Sequence, residues 1–187
     1  FSVVRVNQEL GNRSAIGMMY VERDGDGSII GSSSDDYNRT YAVDGRWGIG
    51  DYTVIRGWMS QTDSPGINSD DTAGGVALNY NDEDWSLNAG YSEVGENFNP
   101  EVGFLSRRGF RKIDAGWRYR YRPENWGNLQ ELRPHMNFRG YWDFDGNQQT
   151  GYLHVDNHWE FNSGMEIHSG MNFTQEGVFE PFEIVDG

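Results

Sequence analysis

Strict alternation of apolar and polar side chains is the feature that most constrains this chain. Ile113, Ala115, Trp117, Tyr119 and Tyr121 alternate with Lys112, Asp114, Gly116, Arg118 and Arg120 without a slip. A helix would scatter such residues around its surface, whereas a strand points successive side chains to opposite faces and so sorts them into one apolar and one polar side. The same design recurs three more times. Leu132, Met136, Phe138, Trp142 and Phe144 oppose Arg133, His135, Asn137 and Arg139; Leu153, Val155, Trp159 and Phe161 oppose His154, Asp156, His158 and Glu160, with Asn157 on the apolar side. Met165, Ile167, Met171 and Phe173 oppose Glu166, His168 and Asn172.

Earlier segments repeat the pattern more loosely, through Val76, Leu78 and Tyr80 and through Trp85, Leu87, Ala89 and Tyr91. Further strands are predicted at roughly 1–10, 13–23, 37–48 and 51–62, which makes about ten in all. Helix signals are nearly absent, with no sustained apolar spacing of i, i+3, i+4 and i+7. The chain is therefore expected to be all-β and a single domain, or a fragment of one, over residues 1–187.

Loop lengths narrow the topology. Tight joints at Gly11-Asn12, Gly48-Ile49-Gly50, Asn81 to Asp84 and Ser163-Gly164 alternate with long connections at about 24–36, 63–71 and 94–108. Residues 122–128 and 143–149 are intermediate. An antiparallel up-and-down sheet with short turns at one rim and long loops at the other is the plan of a transmembrane β-barrel. Greek-key crossings of a soluble sandwich would not sort the loops this way.

Composition decides which partners are open. A formal charge of −14 leaves a phosphate backbone without the clustered cations it needs, so no nucleic-acid partner is expected. Aromatic residues at 14% supply enough apolar area for an ordered fold, and the absence of Cys removes disulfides and thiolate chemistry. A mean hydropathy of −0.77 hides any membrane strand, because only every second residue of such a strand faces lipid. Charges on the polar side must be wet, which fits an aqueous lumen or the outer surface of a soluble sandwich. Tyr20, Tyr52, Trp85, Tyr121, Trp142 and Phe173 lie near strand ends, where interfacial aromatic belts form.

Residues 94–109 read Val-Gly-Glu-Asn-Phe-Asn-Pro-Glu-Val-Gly-Phe-Leu-Ser-Arg-Arg-Gly. With Arg13 to Gly17 and Tyr37-Asn38-Arg39 upstream, this segment resembles the barrel domain of undefined function that follows a family 9-like carbohydrate-binding module in large Gram-negative envelope proteins. The resemblance implies the bacterial outer membrane as location, lipid as one partner, and a glycan or an envelope protein as another. It brings no reaction and no catalytic residues. The family's N-terminal module is not in this sequence, and Ile184 to Gly187 lack the aromatic residue usual for a last barrel strand, so a fragment of a larger barrel is expected.

Candidate functional residues follow from the same reading. Asn97, Phe98, Asn99, Pro100, Glu101, Arg107 and Arg108 make a loop or gate, with the Arg pair beside Glu101 able to pin its shape; turn geometry and anchoring are the simpler role. Asp24, Asp26, Asp35 and Asp36 resemble a Ca²⁺ loop without EF-hand spacing, and a solvated turn is the plainer account. His135, Arg139, His154, Asp156, His158, Glu166 and His168 fall on the polar face, where imidazoles and carboxylates converging from neighbouring strands could ligate Zn²⁺ or relay protons; hydrated lumen side chains are the plainer account. His154 and His158 are four apart on one strand, about 13 Å, too far for one metal. No Gly-x-Ser-x-Gly elbow accompanies Gly31 to Ser34, and with 29 acidic residues a glycosidase pair such as Glu160 and Glu166 is a cheap nomination. The function expected is surface transport, assembly or glycan-associated uptake by an outer-membrane barrel without catalysis; the alternative is a soluble acidic β-sandwich that binds or hydrolyses carbohydrate.

Overall fold

The structure is a computed structural model that describes residues 1–28, 33 and 35–178. The Gly31 to Ser34 loop, apart from Ser33, and the Ile184 to Gly187 end lie outside the described residues. Ten strands follow one another: β1 (Ser2–Leu10), β2 (Ser14–Asp24), β3 (Tyr37–Ile49), β4 (Thr53–Asp63), β5 (Thr72–Asn81), β6 (Trp85–Val94), β7 (Phe110–Tyr119), β8 (Leu129–Trp142), β9 (Gln148–Phe161) and β10 (Glu166–Glu176). All belong to one sheet in sequence order, each antiparallel to the next.

This topology removes the sandwich. Strands approach only their sequence neighbours, and no second sheet covers either face among the described residues. The sheet is not closed either: among the described residues, β1 bonds only to β2 and β10 only to β9, which leaves an edge without a described partner at each end. Backbone-paired rows run obliquely across it. One row passes from Arg5 in mid β1 through Met19, Ala42, Ser60 and Ala73 to Val94, the last residue of β6. Such stagger is what a curling sheet requires.

Turns at residues 11–13, 50–52, 82–84 and 162–165 share one rim, and loops at 25–36, 64–71 and 95–109 share the other. The first turn centres on Asn12 and Arg13, whose φ angles of 52° and 57° match the right-handed twist of the flanking strands. Two connections depart from the short-and-long rule: nine residues join β7 to β8 on the turn rim, and five join β8 to β9 on the loop rim. Pro134 explains where β7 stops. Arg118 pairs with His135 and Tyr121 with Leu132 in the same register, but between them Pro134 has no N–H, so Tyr121 is an isolated bridge instead of the end of the strand.

The pairing rows define the faces. One carries Val4, Val6, Ile16, Met18, Val43, Met59, Val76, Leu78, Ile113, Val155 and Met171, all exposed. Trp47 lies across Gly45 and Trp142 across Gly140 on this face, leaving no room for a Cβ at either glycine. Aromatic rings mark both its margins. Near the turns, Trp85 stands 4.6 Å from Tyr119 and 6.5 Å from Trp117, and Tyr52 stands 6.2 Å from Tyr80. Near the loops, Tyr20 and Tyr41 lie 5.2 Å apart. One step beyond Tyr20, Tyr41 and Tyr91 comes a charged row, in which Arg39 bonds Glu22 at 2.9 Å and Arg111 approaches Glu93 at 3.8 Å. The opposite face carries Arg5, Asp44, Arg46, Asn88, Asp114, Arg118 and the histidines.

Well-buried apolar side chains are few. Ala73, Val94 and Phe98 form the one core cluster among the described residues, with Leu105 and Phe110 against it, where the 95–109 loop folds onto the polar face.

Candidate functional site: a histidine and carboxylate cluster on the polar face

Strands β8, β9 and β10 bring the polar residues together in registered rows: Arg133, His158 and His168; His135, Asp156 and Gly170; Asn137, His154 and Asn172. Gly170 makes room in the middle row, since a Cβ there would stand 3.0 Å from Asp156 Cγ. The long imidazoles lean diagonally between rows. His135 has ring centroids 5.2 Å from both His154 and His158, so it fills the gap between two residues of the neighbouring strand. His158 and His168 lie 3.8 Å apart by centroid.

Carboxylates thread the rings. Asp156 Oδ2 is 3.3 Å from His158 Nε2 and 3.8 Å from His154 Nε2. Glu166 Oε1 is 3.1 Å from His158 Nδ1 and 3.3 Å from His168 Nε2. Arg133 closes this end by reaching Glu166 at 2.6 Å, Glu160 at 3.3 Å and Glu131 at 3.3 Å, and Arg122 also reaches Glu131 at 2.7 Å. Glu160 and Glu166, the pair considered for glycosidase chemistry, are thus both held on one guanidinium. A concavity of about 430 Å³ opens beside the cluster, lined by Ser86, Asn88, Arg118, Arg133, His135 and His158. Arg139 shares the face, exposed and in register with Asp114 and Tyr152.

The 95–109 loop is held by a second set of contacts. Asn38, the most buried polar residue among the described residues, donates to Asn99 O at 2.8 Å and to Ser64 Oγ at 2.9 Å. Asn97 donates to Ser69 O at 2.9 Å, and Asn99 N–H donates to Thr62 Oγ1 at 3.1 Å. Phe98 fills the core cluster, while Pro100 supplies the carbonyl that accepts from Gly103 N–H at 2.7 Å. The cation that holds Glu101 is Arg23, not the Arg pair of its own loop. Arg107 instead bonds Gln149 and stands 4.9 Å over the Tyr141 ring, and Arg108 lines a neighbouring concavity. Sequence spacing suggested Arg107 and Arg108 because they are local; the loop's return over β2 supplies a cation from 78 residues away.

Asp24, Asp26, Asp35 and Asp36 do not converge on one point among the described residues. Arg23 takes both oxygens of Asp36 at 2.9 Å, and that fork holds the Asp36 carboxyl below its ordinary range. Asp26 accepts from Ser28 N–H at 2.9 Å, and Asp24 faces Arg39 at 3.9 Å. Among the described residues, no three of these four bring oxygens within 4.8 Å of one another. The groups that do converge so closely are His135, Asp156 and His158, and His158, Glu166 and His168. Arg133 and Arg23 were the members of these sites that sequence reasoning passed over; Arg133 is signalled only by standing two residues before His135 on the same face.

No protein-family model, curated protein or solved structure matches this chain.

Proposed function

We propose that this sheet is a segment of an outer-membrane β-barrel whose charged face lines a water-filled lumen and whose apolar face meets lipid. The observation that carries the reading is the margin of the apolar face. Exposed Val, Ile, Leu and Met end at Tyr20, Tyr41 and Tyr91, and the next outward position on each strand is Glu22, Arg39 or Glu93. A face covered by another protein layer has no reason to stop at one level across strands, whereas a bilayer imposes that level on every strand it meets. The residues between Trp47 and Tyr41 and between Trp85 and Tyr91 span about 20 Å along their strands, the scale of an outer-membrane apolar band.

Lumen charge and an ordered loop over one mouth fit passage or capture of polar solutes at the cell surface, in transport, assembly or glycan-associated uptake. The free edges of β1 and β10 are compatible with lipid only when paired, by each other, by further strands or by a second chain. Extraction with and without detergent, followed by electrophoresis of unheated and boiled samples, tests the reading. A detergent-requiring band that shifts on boiling is expected. A freely soluble species with no shift would overturn it.

A further inference from the structure

The three central imidazoles are wired alike. His135 Nδ1 lies 3.2 Å from the Arg133 carbonyl oxygen, His154 Nδ1 lies 2.7 Å from Asn172 Oδ1, and His158 Nδ1 lies 3.1 Å from Glu166 Oε1. A carbonyl, an amide oxygen and a carboxylate only accept, so each Nδ1 carries the hydrogen and donates it. On every neutral ring the lone pair is then left at Nε2. Those Nε2 atoms turn toward each other and toward Asp156: His135 Nε2 is 3.2 Å from His154 Nε2, and Asp156 Oδ2 is 3.3 Å from His158 Nε2. Asp156 Oδ1 is buried with no hydrogen-bond partner. Acceptors crowd this spot.

Acceptors at such distances repel unless a positive species stands among them. His158 Nε2 and Asp156 Oδ2 stand 3.3 Å apart, an edge of a coordination polyhedron with ligand bonds of about 2.0 to 2.2 Å, and a ring nitrogen of His135 lies within 4.8 Å of the ligand atoms of both residues. Imidazole nitrogen with a single carboxylate selects the zinc class over Ca²⁺ and Mg²⁺, which want oxygen alone. Outer acceptors on Nδ1 are the usual support of a metal-bound histidine. We propose that His135, Asp156 and His158 form a divalent transition-metal site of the zinc class on the polar face. The outer trio is the poorer site, because Glu166 is already bonded to Arg133 at 2.6 Å and His168 is more than half exposed. A bound ion would clamp β8 to β9 next to the concavity. The proposal stands on side-chain geometry and does not require that the sheet span a membrane.

The test is metal titration of the full chain, stripped with a chelator, in detergent micelles and in plain buffer. Zn²⁺ is followed by calorimetry and Co²⁺ by its visible absorption. Binding of one equivalent is expected, undisturbed by excess Ca²⁺ or Mg²⁺, with intense Co²⁺ bands of low coordination number. His135→Gln, Asp156→Asn and His158→Gln should each weaken it by roughly tenfold or more, and His168→Gln should leave it unchanged. Should a variant fail to fold, Zn²⁺ must still protect His135 of the unaltered protein from carbethoxylation, read by mass spectrometry. Absence of binding, or binding that survives His135→Gln and is lost with His168→Gln, overturns the proposal. Zn²⁺ binding by a protein that needs no detergent would sink the membrane reading and leave this site standing.

Discussion

Replacing Val43 with Arg tests the lipid-facing surface most directly. Val43 is 54% exposed and points from β3 into the middle of the apolar face, with Met18 and Met59 as its partners on the neighbouring strands. It stands two residues from the Tyr41 ring and four from Trp47, so an Arg there enters near the centre of the apolar band. The acidic groups nearest on that face, Glu22 and Asp63, are level with Arg39, four residues and about 13 Å away, beyond the reach of the new guanidinium. An unpaired Arg at the midplane of a barrel wall costs about 2 to 4 kcal/mol, a factor of roughly 30 to 700 in the folding equilibrium. The same change at an exposed position of a soluble sheet stays within about 0.5 kcal/mol. Urea unfolding in lipid vesicles, followed by tryptophan fluorescence, separates the two. Gln61→Arg, level with Tyr41 at the margin, is the control and should cost about 0 to 1 kcal/mol. A folded Val43→Arg protein as stable as its parent would refute a lipid-facing surface here.

Two further predictions concern the loop rim. Phe98→Ala removes the ring buried against Ala73 and Val94. It should cost about 2 to 3 kcal/mol of loop docking, below the full core value because the cluster is small, and proteolysis within the loop should accelerate while strand amides stay protected. Unchanged cleavage would show that Phe98 does not hold the loop. Arg23 holds Asp36 below the ordinary carboxylate range, so this ion pair contributes its full stability to the base of the β2–β3 connection above about pH 4 and loses it as pH falls through the depressed value of Asp36 in the folded chain. Amide exchange at Gly25, whose N–H donates to Asp36 O at 2.7 Å, should therefore be level from neutral pH to about 4 and accelerate below it once intrinsic exchange is allowed for. Arg23→Gln should weaken protection at neutral pH and flatten that profile; an unaltered profile would remove the ion pair from the account.

Alternation is a property of neighbours in the chain, which is why strand content was legible at once. Whatever the tertiary setting, Ile113 and Ala115 must face one way and Asp114 the other once the segment is extended. The same local rule separated a wet face from an apolar one and found both rims from the turn residues. Period two holds for a sandwich and an up-and-down array alike; loop lengths favoured the second, and the single sheet in sequence order showed it. Contacts across strands lie beyond that rule. The 13 Å between His154 and His158 argued against a shared ligand while β9 was considered alone; register then set His135 between them and Asp156 opposite it. Glu101 found Arg23 for the same reason, through a loop that folds back over distant strands. Side-chain chemistry and sidedness are written residue by residue, whereas a site built from three strands depends on pairing offsets, and a shift of one residue would send His135 and Asp156 to opposite faces.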